Sequence, residues 1–239
     1  MYGYGGYAPY VSVAEKKAKA KKMLAKLKKK NPDLQPITIE GTKIAKTWWG
    51  MAWNKNLESY ADYSNRIGRG RSYVRNDAVL NLQISTGKIE ALVYGSGRNP
   101  YTIEIEIDQL VSEKWNDIIT RCSQQIDSIS DLALGKFPKE LEFIFTEKGK
   151  GLFPSPKEIH FDCSCPDWAS MCKHIAAVLY GIGARLDDDP SLFFKLRGID
   201  VEALIKKSVE EKMKSMLENA DQKTSRVIDD ADIGDLFGF

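Results

Sequence analysis

Hydrophobic and polar residues alternate along three consecutive stretches in the middle of the chain. The stretches are 78–84, 89–93 and 101–107, and short turns rich in Ser, Gly, Asn and Pro separate them. Because successive side chains of a strand point to opposite faces, this alternation predicts strands with one buried and one solvated face. The sequence therefore predicts a three-stranded antiparallel meander.

Apolar stripes with a helical period flank the predicted meander on both sides. Segments 12–30, 48–60 and 112–129 each place their large apolar residues on one helical face, and 138–146 and 201–220 predict two further helices. The segment 48–60 is rich in aromatic residues and contains Trp48, Trp49 and Trp53. This spacing favours core packing of the three rings over a platform for stacking a ligand.

Together these patterns predict the α+β class, with a small antiparallel sheet, packed helices and a short strand followed by a buried helix near residue 173. Residues 36–44 predict one more short strand, and the Gly-containing stretch 66–75 predicts a loop. Composition divides the chain into four regions. They are a Lys-rich arm (1–36), an α+β domain with the meander (37–150), a Cys- and His-containing region (151–200) and a helix with an acidic tail (201–239).

Three of the four Cys and one of the two His in the chain lie within twelve residues. They are Cys163, Cys165, Cys172 and His174, with the spacing C-x-C-x6-C-x-H. Three thiolates and one imidazole form a soft tetrahedral set that suits Zn²⁺. Four protein ligands close the coordination shell, so the sequence predicts one structural zinc ion that joins a strand end to a helix start.

The remaining candidates near the cluster have simpler explanations. The alternative for the cluster itself is a chance grouping of Cys residues that belong to the core. Cys122 lies on an apolar helix face, so we expect it to be buried in the core. Alternation places His160 opposite the apolar face of its strand, so we expect it exposed and not a fifth ligand. Asp162 and Asp167 could be imagined as general bases, but turn and strand positions explain them better.

The stretch Cys163–Asp167 with Trp168, followed by Cys172-Lys173-His174, resembles the SWIM zinc finger, whose pattern is C-x-C, a variable gap and C-x-H. Further segments, including WWGMAW, RIGRGRSYVR and GLFPSP, resemble compact bacterial SWIM-finger proteins, which are often associated with Swi/Snf-type helicases. The resemblance implies a zinc-binding module that contacts DNA or proteins.

Positive charge is concentrated at the start of the chain. Residues 1–36 carry nine Lys and a net charge of +7, whereas the whole chain carries +2. Such a Lys-rich helix is attracted to a phosphate backbone without recognising a base sequence. The predicted contacts are Lys16, Lys17, Lys21, Lys22, Lys28 and Lys29. The alternative is a solubilising helix that docks its Ala20–Leu27 stripe on the body of the protein.

A second basic segment holds four Arg within ten residues, which are Arg66, Arg69, Arg71 and Arg75. Guanidinium groups bind phosphate bidentately, so these residues predict a second nucleic-acid contact. The alternative is a solvated loop, or ion pairs between these Arg and the strand residues Glu104 and Glu106.

The sequence contains no P-loop, dinucleotide-binding motif or Ser nucleophile motif, so we do not expect an enzyme. No apolar run is long enough for a membrane span, and no secretory signal is present, which favours a cytoplasmic protein without a membrane partner. The expected function is a nucleic-acid-binding accessory module, with DNA favoured over RNA. The alternative is an adaptor for a helicase-like partner, bound through the finger or the acidic tail 227–239, which could also fold back on the basic arm.

Overall fold

The computed structural model describes residues 11–59, 64–125, 131, 136 and 138–220. It contains four strands, β1 (Val79–Ser85), β2 (Lys88–Val93), β3 (Tyr101–Ile107) and β4 (Ile159–Cys163). Three helices precede the sheet, namely α1 (Val13–Lys28), α2 (Trp48–Glu58) and α3 (Ser64–Arg75). The helices that follow are α4 (Ser112–Ser123), α5 (Glu142–Thr146), α6 (Lys173–Asp188), α7 (Leu192–Leu196) and α8 (Val201–Ala220). This is the predicted α+β class.

The four strands form one antiparallel sheet in the order β1-β2-β3-β4. The meander predicted from the alternation is confirmed as β1 to β3, and its buried face carries Ile89, Ile103 and Ile105. The strand that leads into the Cys and His cluster is β4, and it pairs with β3 from Ile107↔Ile159 to Ile103↔Cys163. The finger is therefore continuous with the sheet.

Helix α6 is the centre of the core. Eleven of its sixteen residues are buried, because it packs against α2 and α3 and also against the sheet. The nearly uniform apolar character of this segment predicted such burial. The indole N–H of Trp53 donates to the Leu179 carbonyl at 2.8 Å, and Trp53 is only 3% exposed. The core-packing interpretation of the Trp stripe is thus the one the structure supports.

The prediction of a loop over 66–75 is wrong, because these residues lie in helix α3. Two Gly lower the intrinsic helix propensity of this segment, but tertiary packing against α6 outweighs that cost. The helix ends at Arg75, and Asp77 takes a left-handed conformation with a φ of 55° before β1 begins.

Two smaller differences concern single elements. Residues 36–44 form no regular strand, although the Ile37 N–H donates to the Val79 carbonyl beside β1. The predicted helix 138–146 is divided into a 3₁₀ turn, for which Pro138 is the N-cap, and the short helix α5. The predicted continuation of α4 to residue 129 and the acidic tail 227–239 lie outside the described residues.

None of the described helices is long and apolar enough to cross a membrane.

Candidate metal centre

Strand β4 supplies the first part of the metal centre. Cys163 lies directly opposite Ile103 of β3, and directly opposed residues of an antiparallel pair project from the same face of the sheet. The pairing extends one residue further, since the Ser164 N–H donates to the Thr102 carbonyl at 3.0 Å. Cys165 lies two residues beyond the end of β4, where the chain bends, and its sulfur atom is within 4.8 Å of the other candidate ligand atoms.

Helix α6 supplies the second part. Cys172 is its N-cap residue and His174 lies in its first turn, and both side chains are buried at 1% exposure. Unsatisfied backbone N–H groups and the helix dipole favour negative charge at this end of a helix. A thiolate at Cys172 is therefore placed where the backbone stabilises it.

The four predicted ligands converge. One ligand atom from each of Cys163, Cys165, Cys172 and His174 can be chosen so that all lie within 4.8 Å of one another. The Nδ1 atom of His174 lies 3.8 Å from the Cys172 Sγ and 4.0 Å from the Cys163 Sγ. Zn–S and Zn–N bond lengths place neighbouring ligand atoms of a tetrahedral site about 3.5–3.8 Å apart.

The electrostatics of the thiols fit a cation. The hydrogen bond from Cys163 lowers the pKa of Cys172 to about 3, with further hydrogen bonds from His174 and from backbone N–H groups of α6 outweighing burial. The same sulfur–sulfur hydrogen bond, together with burial, raises the pKa of Cys163. Because adjacent buried thiols oppose joint ionisation, a divalent cation is what allows all three to become thiolates.

Aromatic rings surround the fourth ligand. The His174 ring lies edge-on to Tyr73 at a centroid distance of 5.3 Å and tilted against Tyr101 at 4.4 Å. A Cβ added to Gly95 would lie 2.9 Å from His174 Nε2, so the chain approaches the ring closely there. Nε2 is buried without a hydrogen-bond partner, which leaves ring packing to orient the imidazole with Nδ1 toward the sulfur atoms.

The donor set, its burial and its separations all fit one zinc ion. Three Cys and one His at these distances form a site able to hold a single Zn²⁺ with four protein ligands. Such an ion would connect the end of β4 to the start of α6. Within the described chain, these four residues are the group that meets the geometry of a metal site.

The other titratable residues near the cluster have separate contacts. His160 is exposed and its Nε2 lies 3.1 Å from Asp108 Oδ1, as expected for a residue outside the site. Asp167 pairs with Arg66 at 2.8 Å, and its carboxylate accepts from the Ala169 N–H. Cys122 is fully buried, and that burial raises the pKa of its thiol to about 12.

The four predicted Arg lie on α3 and have different surroundings. Arg66 binds Asp167, Arg71 binds Glu58 and the Tyr180 hydroxyl, and Arg75 donates to the Thr42 carbonyl. These partners are not the strand residues Glu104 and Glu106 that the sequence suggested as an alternative. Arg69 is exposed and has no partner among the residues that the structure describes.

Helix α1 carries the predicted Lys residues on the surface of the protein. It is anchored by Ala20, which is 1% exposed, and by an ion pair between Lys17 and Asp77 at 3.2 Å. Lys19 pairs with Glu15 within the helix. The remaining seven have no acidic partner in the described part of the chain, and they are Lys16, Lys21, Lys22, Lys26, Lys28, Lys29 and Lys30.

Tertiary structure brings the two basic segments side by side. A cavity of about 360 Å³ lies between them, lined by Lys16 and Ala20 of α1 and by Ser72 and Tyr73 of α3. The sequence predicted both segments and could not place them together, because they are separated by the whole of α2. Whether these Lys and Arg bind nucleic acid stays a prediction.

Two features of the site were missed in the sequence. Tyr73 and Tyr101 contact His174 from α3 and β3, and nothing in their local pattern indicated this role. Trp168, between the second and third ligands, is 95% exposed. A large aromatic residue in a polar loop was the signal that could have identified it.

Comparison with known proteins supports the geometry. Residues 161–181 match the SWIM zinc finger family, and this range contains all four ligands. Over 183 residues the chain is 37% identical to "Uncharacterized protein Rv2102" of Mycobacterium tuberculosis (strain ATCC 25618 / H37Rv). The alignment covers 73% of this chain and 66% of that protein, so the chain spans just under two thirds of its relative's length. No solved structure matches the chain.

Proposed function

We propose that this chain, a SWIM zinc-finger protein, is a nucleic-acid-binding accessory module that binds DNA in preference to RNA. In this proposal zinc holds the finger against the sheet, and the basic helices contact the phosphate backbone. The coordination of zinc by four protein ligands leaves no open position for a substrate, so the proposed role of the metal is structural and we propose no catalytic role for it.

The observation that carries this proposal is a group of seven Lys between residues 16 and 30, five of them on α1, that have no acidic partner in the described structure. Arg69 of α3 is exposed and likewise unpaired among the described residues. Ion pairs within the protein do not neutralise these cations, so they remain available to a polyanion. Backbone phosphates attract such a surface through counterion release and without base specificity.

A charge-removal experiment tests the proposal. Five Lys of α1 and its C-cap (Lys16, Lys21, Lys22, Lys28 and Lys29) are changed to Gln, and binding to a fluorescein-labelled DNA duplex of about 20 base pairs is measured by anisotropy at two salt concentrations. We expect wild-type binding to weaken by a factor of ~10 or more between 50 and 200 mM salt. The variant should bind at least about tenfold more weakly and with a smaller salt slope.

A matched control removes the same charge elsewhere. Five exposed Lys outside α1 and α3 (Lys148, Lys157, Lys195, Lys206 and Lys207) are changed to Gln, which gives the same net charge. This control should retain most of the wild-type affinity. Equal losses in the two variants would contradict a specific role of α1, and absence of wild-type binding to DNA and RNA at low salt would refute the proposed function.

A second candidate function is an adaptor for a helicase-like protein. It is favoured by three exposed apolar residues near the end of α8, Met213, Met216 and Leu217, at the i, i+3, i+4 spacing of one helical face. The acidic segment 227–239 follows in sequence. A pull-down with the complete chain and with a chain ending at residue 226 tests this role, and an identical set of captured proteins would exclude the tail as the docking segment.

A further inference from the structure

The exposure of Trp168 separates it from the other Trp residues of the described chain. Trp168 is 95% exposed, whereas Trp53 is buried and Trp48, Trp49 and Trp115 are half-buried. Trp residues are highly buried on average, and an indole left in water forgoes a large apolar area. The Trp168 ring therefore contributes nothing visible to the core.

The loop that carries Trp168 is held in place on both sides. It begins at Cys165 and ends at Cys172, so both of its ends are metal ligands. Within the loop, the Asp167 carboxylate accepts from the Ala169 N–H at 3.3 Å and pairs with Arg66 of α3 at 2.8 Å. Met171 is 1% exposed and anchors the loop in the core. A ring presented by such a loop loses little conformational freedom on binding.

Two guanidinium groups lie on the side of α3 that borders the finger. Arg66, Arg69 and Tyr73 have the i, i+3, i+7 spacing of one helical face, and Tyr73 contacts the His174 ring. Burial raises the pKa of the Tyr73 hydroxyl, and the nearby Arg69 charge partly offsets this. Arg66 is engaged by Asp167, while Arg69 is exposed and has no partner among the described residues.

The surroundings of Trp168 favour a nucleic acid over a protein as its partner. The core of a protein interface is a patch of several apolar side chains surrounded by a polar rim. The neighbours of Trp168 in the loop are Pro166, Asp167, Ala169 and Ser170, and the other strongly exposed large apolar side chains of the described chain belong to other elements. A single exposed ring beside Arg is sufficient to stack one base and bind the adjacent phosphates.

From this arrangement we infer that the finger binds a single strand, with an unpaired base stacked on Trp168 and a flanking phosphate bound by the unpaired Arg69, while Arg66 holds the loop through Asp167. This inference rests on the proposed nucleic-acid-binding function and adds the form of nucleic acid it binds. Bases within a duplex are stacked on each other and do not offer a face to the ring, so the finger discriminates in favour of single strands. Single-stranded DNA and RNA share this chemistry.

The test uses the complete, zinc-loaded protein and labelled oligo(dT), oligo(U) and duplex DNA, each of about 20 nucleotides or base pairs. We expect Trp168→Ala to weaken binding to the single strands about tenfold, the order of magnitude for one stacked base. Duplex binding should change less than about twofold, because the phosphate contacts of α1 remain. Trp168→Phe should retain most of the single-strand affinity, and the stronger of the oligo(dT) and oligo(U) interactions identifies the preferred sugar.

Matched variants separate stacking from general effects. Phe143→Ala removes an aromatic ring that is 71% exposed on α5, and it should not change single-strand affinity. Arg69→Gln should reduce the salt slope on oligo(dT) by about 0.7, which corresponds to one phosphate of a single strand. Lys195→Gln removes an exposed charge on α7 and should leave that slope unchanged.

Failure of the inference is distinguishable from failure of the proposed function. If Trp168→Ala keeps its zinc and binds oligo(dT) as wild type does, stacking on Trp168 is refuted, while salt-dependent duplex binding would preserve the proposed function. If wild type binds none of the three probes at low salt, both fail. A loss caused by Trp168→Ala that is equal on duplex and single strands would also overturn the inference.

Discussion

The two basic helices, α1 and α3, look similar in charge and differ in how the fold uses that charge. Three of the four Arg of α3 are bonded within the protein, to Asp167, to Glu58 and Tyr180, and to the Thr42 carbonyl. Seven of the nine Lys between residues 16 and 30 have no acidic partner in the described structure. The number of basic residues in each segment therefore overstates how many unpaired cations α3 presents, and it represents the Lys-rich segment better.

Packing explains this difference. Helix α3 lies against α6, which begins at the metal centre, so its side chains meet partners from α2, α6 and the finger. Helix α1 lies on the surface and is held by Ala20 and by the ion pair of Lys17 with Asp77. Most Arg side chains of α3 are therefore occupied by contacts within the protein, whereas most Lys side chains of α1 remain exposed to solvent.

The largest expected effect on stability follows from the loss of zinc. This loss should affect α3 more than α1. Cys172→Ser removes a buried ligand, so we expect zinc content to fall from about one ion per chain to nearly none. The free energy of unfolding should decrease by at least ~5 kcal/mol, because structural zinc contributes about 10–16 kcal/mol in small fingers. Metal analysis and denaturant unfolding measure both quantities.

Hydrogen exchange of the same variant sharpens the comparison. Exchange should become faster in β4, α6 and α3, and it should change less in α1, which supplies no metal ligand and is held by Ala20 and by the ion pair of Lys17 with Asp77. Cys122→Ser is the matched control, since Cys122 is a buried Cys outside the site and its variant should keep full zinc. Full zinc retention by Cys172→Ser would show that the ligand assignment is wrong.

The next effect concerns the contact between α3 and α6. A Cβ on Gly70 would lie 2.8 Å from the Ala176 backbone carbon and 2.9 Å from the Ala177 nitrogen, so the two helices would have to separate. We expect Gly70→Ala to decrease the free energy of unfolding by about 3 kcal/mol. Denaturant titration would measure this decrease, and we expect the m value, the slope of the free energy of unfolding against denaturant concentration, to be unchanged.

Gly68, in the same helix, is the control for Gly70. A Cβ there would have no neighbour within 4 Å, so Gly68→Ala should increase stability by about 0.5–1 kcal/mol through its higher helix propensity. Equal effects of the two substitutions would contradict the view that α3 is fixed by close packing at Gly70.

Arg197 lies outside both basic helices and is buried. Its ion pair with Glu158 should make the stability of the protein depend on pH. It binds Glu158 at 2.6 Å and is 1% exposed. Burial by itself would raise the pKa of Glu158, but hydrogen bonds from the Ser155 backbone and from Arg197 lower it from 4.5 to about 2. The ionised pair should therefore contribute about 2 kcal/mol above pH 4.5, and this contribution should be lost as the pH falls toward 2.

The measurement is the stability difference between wild type and Glu158→Gln at several pH values. Both proteins contain the same metal ligands, so acid release of zinc affects both and the difference isolates Glu158. It should be largest near neutral pH and decrease in the acid range. A difference that is independent of pH would indicate that the ionised pair does not contribute as proposed.

The smallest effect on stability is expected for α1. Changing Lys16, Lys21, Lys22, Lys28 and Lys29 to Gln should alter the free energy of unfolding by less than about 0.5 kcal/mol, because exposed side chains without partners rarely contribute more. Lys17→Gln breaks an ion pair and should cost up to about 1 kcal/mol. A larger loss from the fivefold variant would show that the Lys residues of α1 are structural.

Some parts of this molecule could be predicted because they depend on residues that lie close together in the sequence. The alternation in β1 to β3 and the helical periods of α2 and α6 depend on side chains that share one element. The metal ligands have a spacing that places Cys163 and Cys165 at a strand end, with Cys172 and His174 at a helix start. One metal ion joins the two short segments, so the spacing predicts the site.

Other parts depend on contacts between distant residues. The helical state of 64–75 opposes its Gly content and is explained by packing on α6, which begins about a hundred residues later. The pairing of β4 with β3 joins the finger to the meander across a long connection, and strand pairing of that kind leaves no periodic signal in the sequence.

The sequence by itself determined the zinc ligands, the alternating strands and the concentration of Lys near the N-terminus, because each is a pattern among residues close along the chain. Only the tertiary structure decided which cations are neutralised, that α1 lies beside α3, and that Trp168 remains exposed beside Arg66. The physical reason is that burial and ion pairing are properties of neighbours in space, and those neighbours come from elements far apart in the chain.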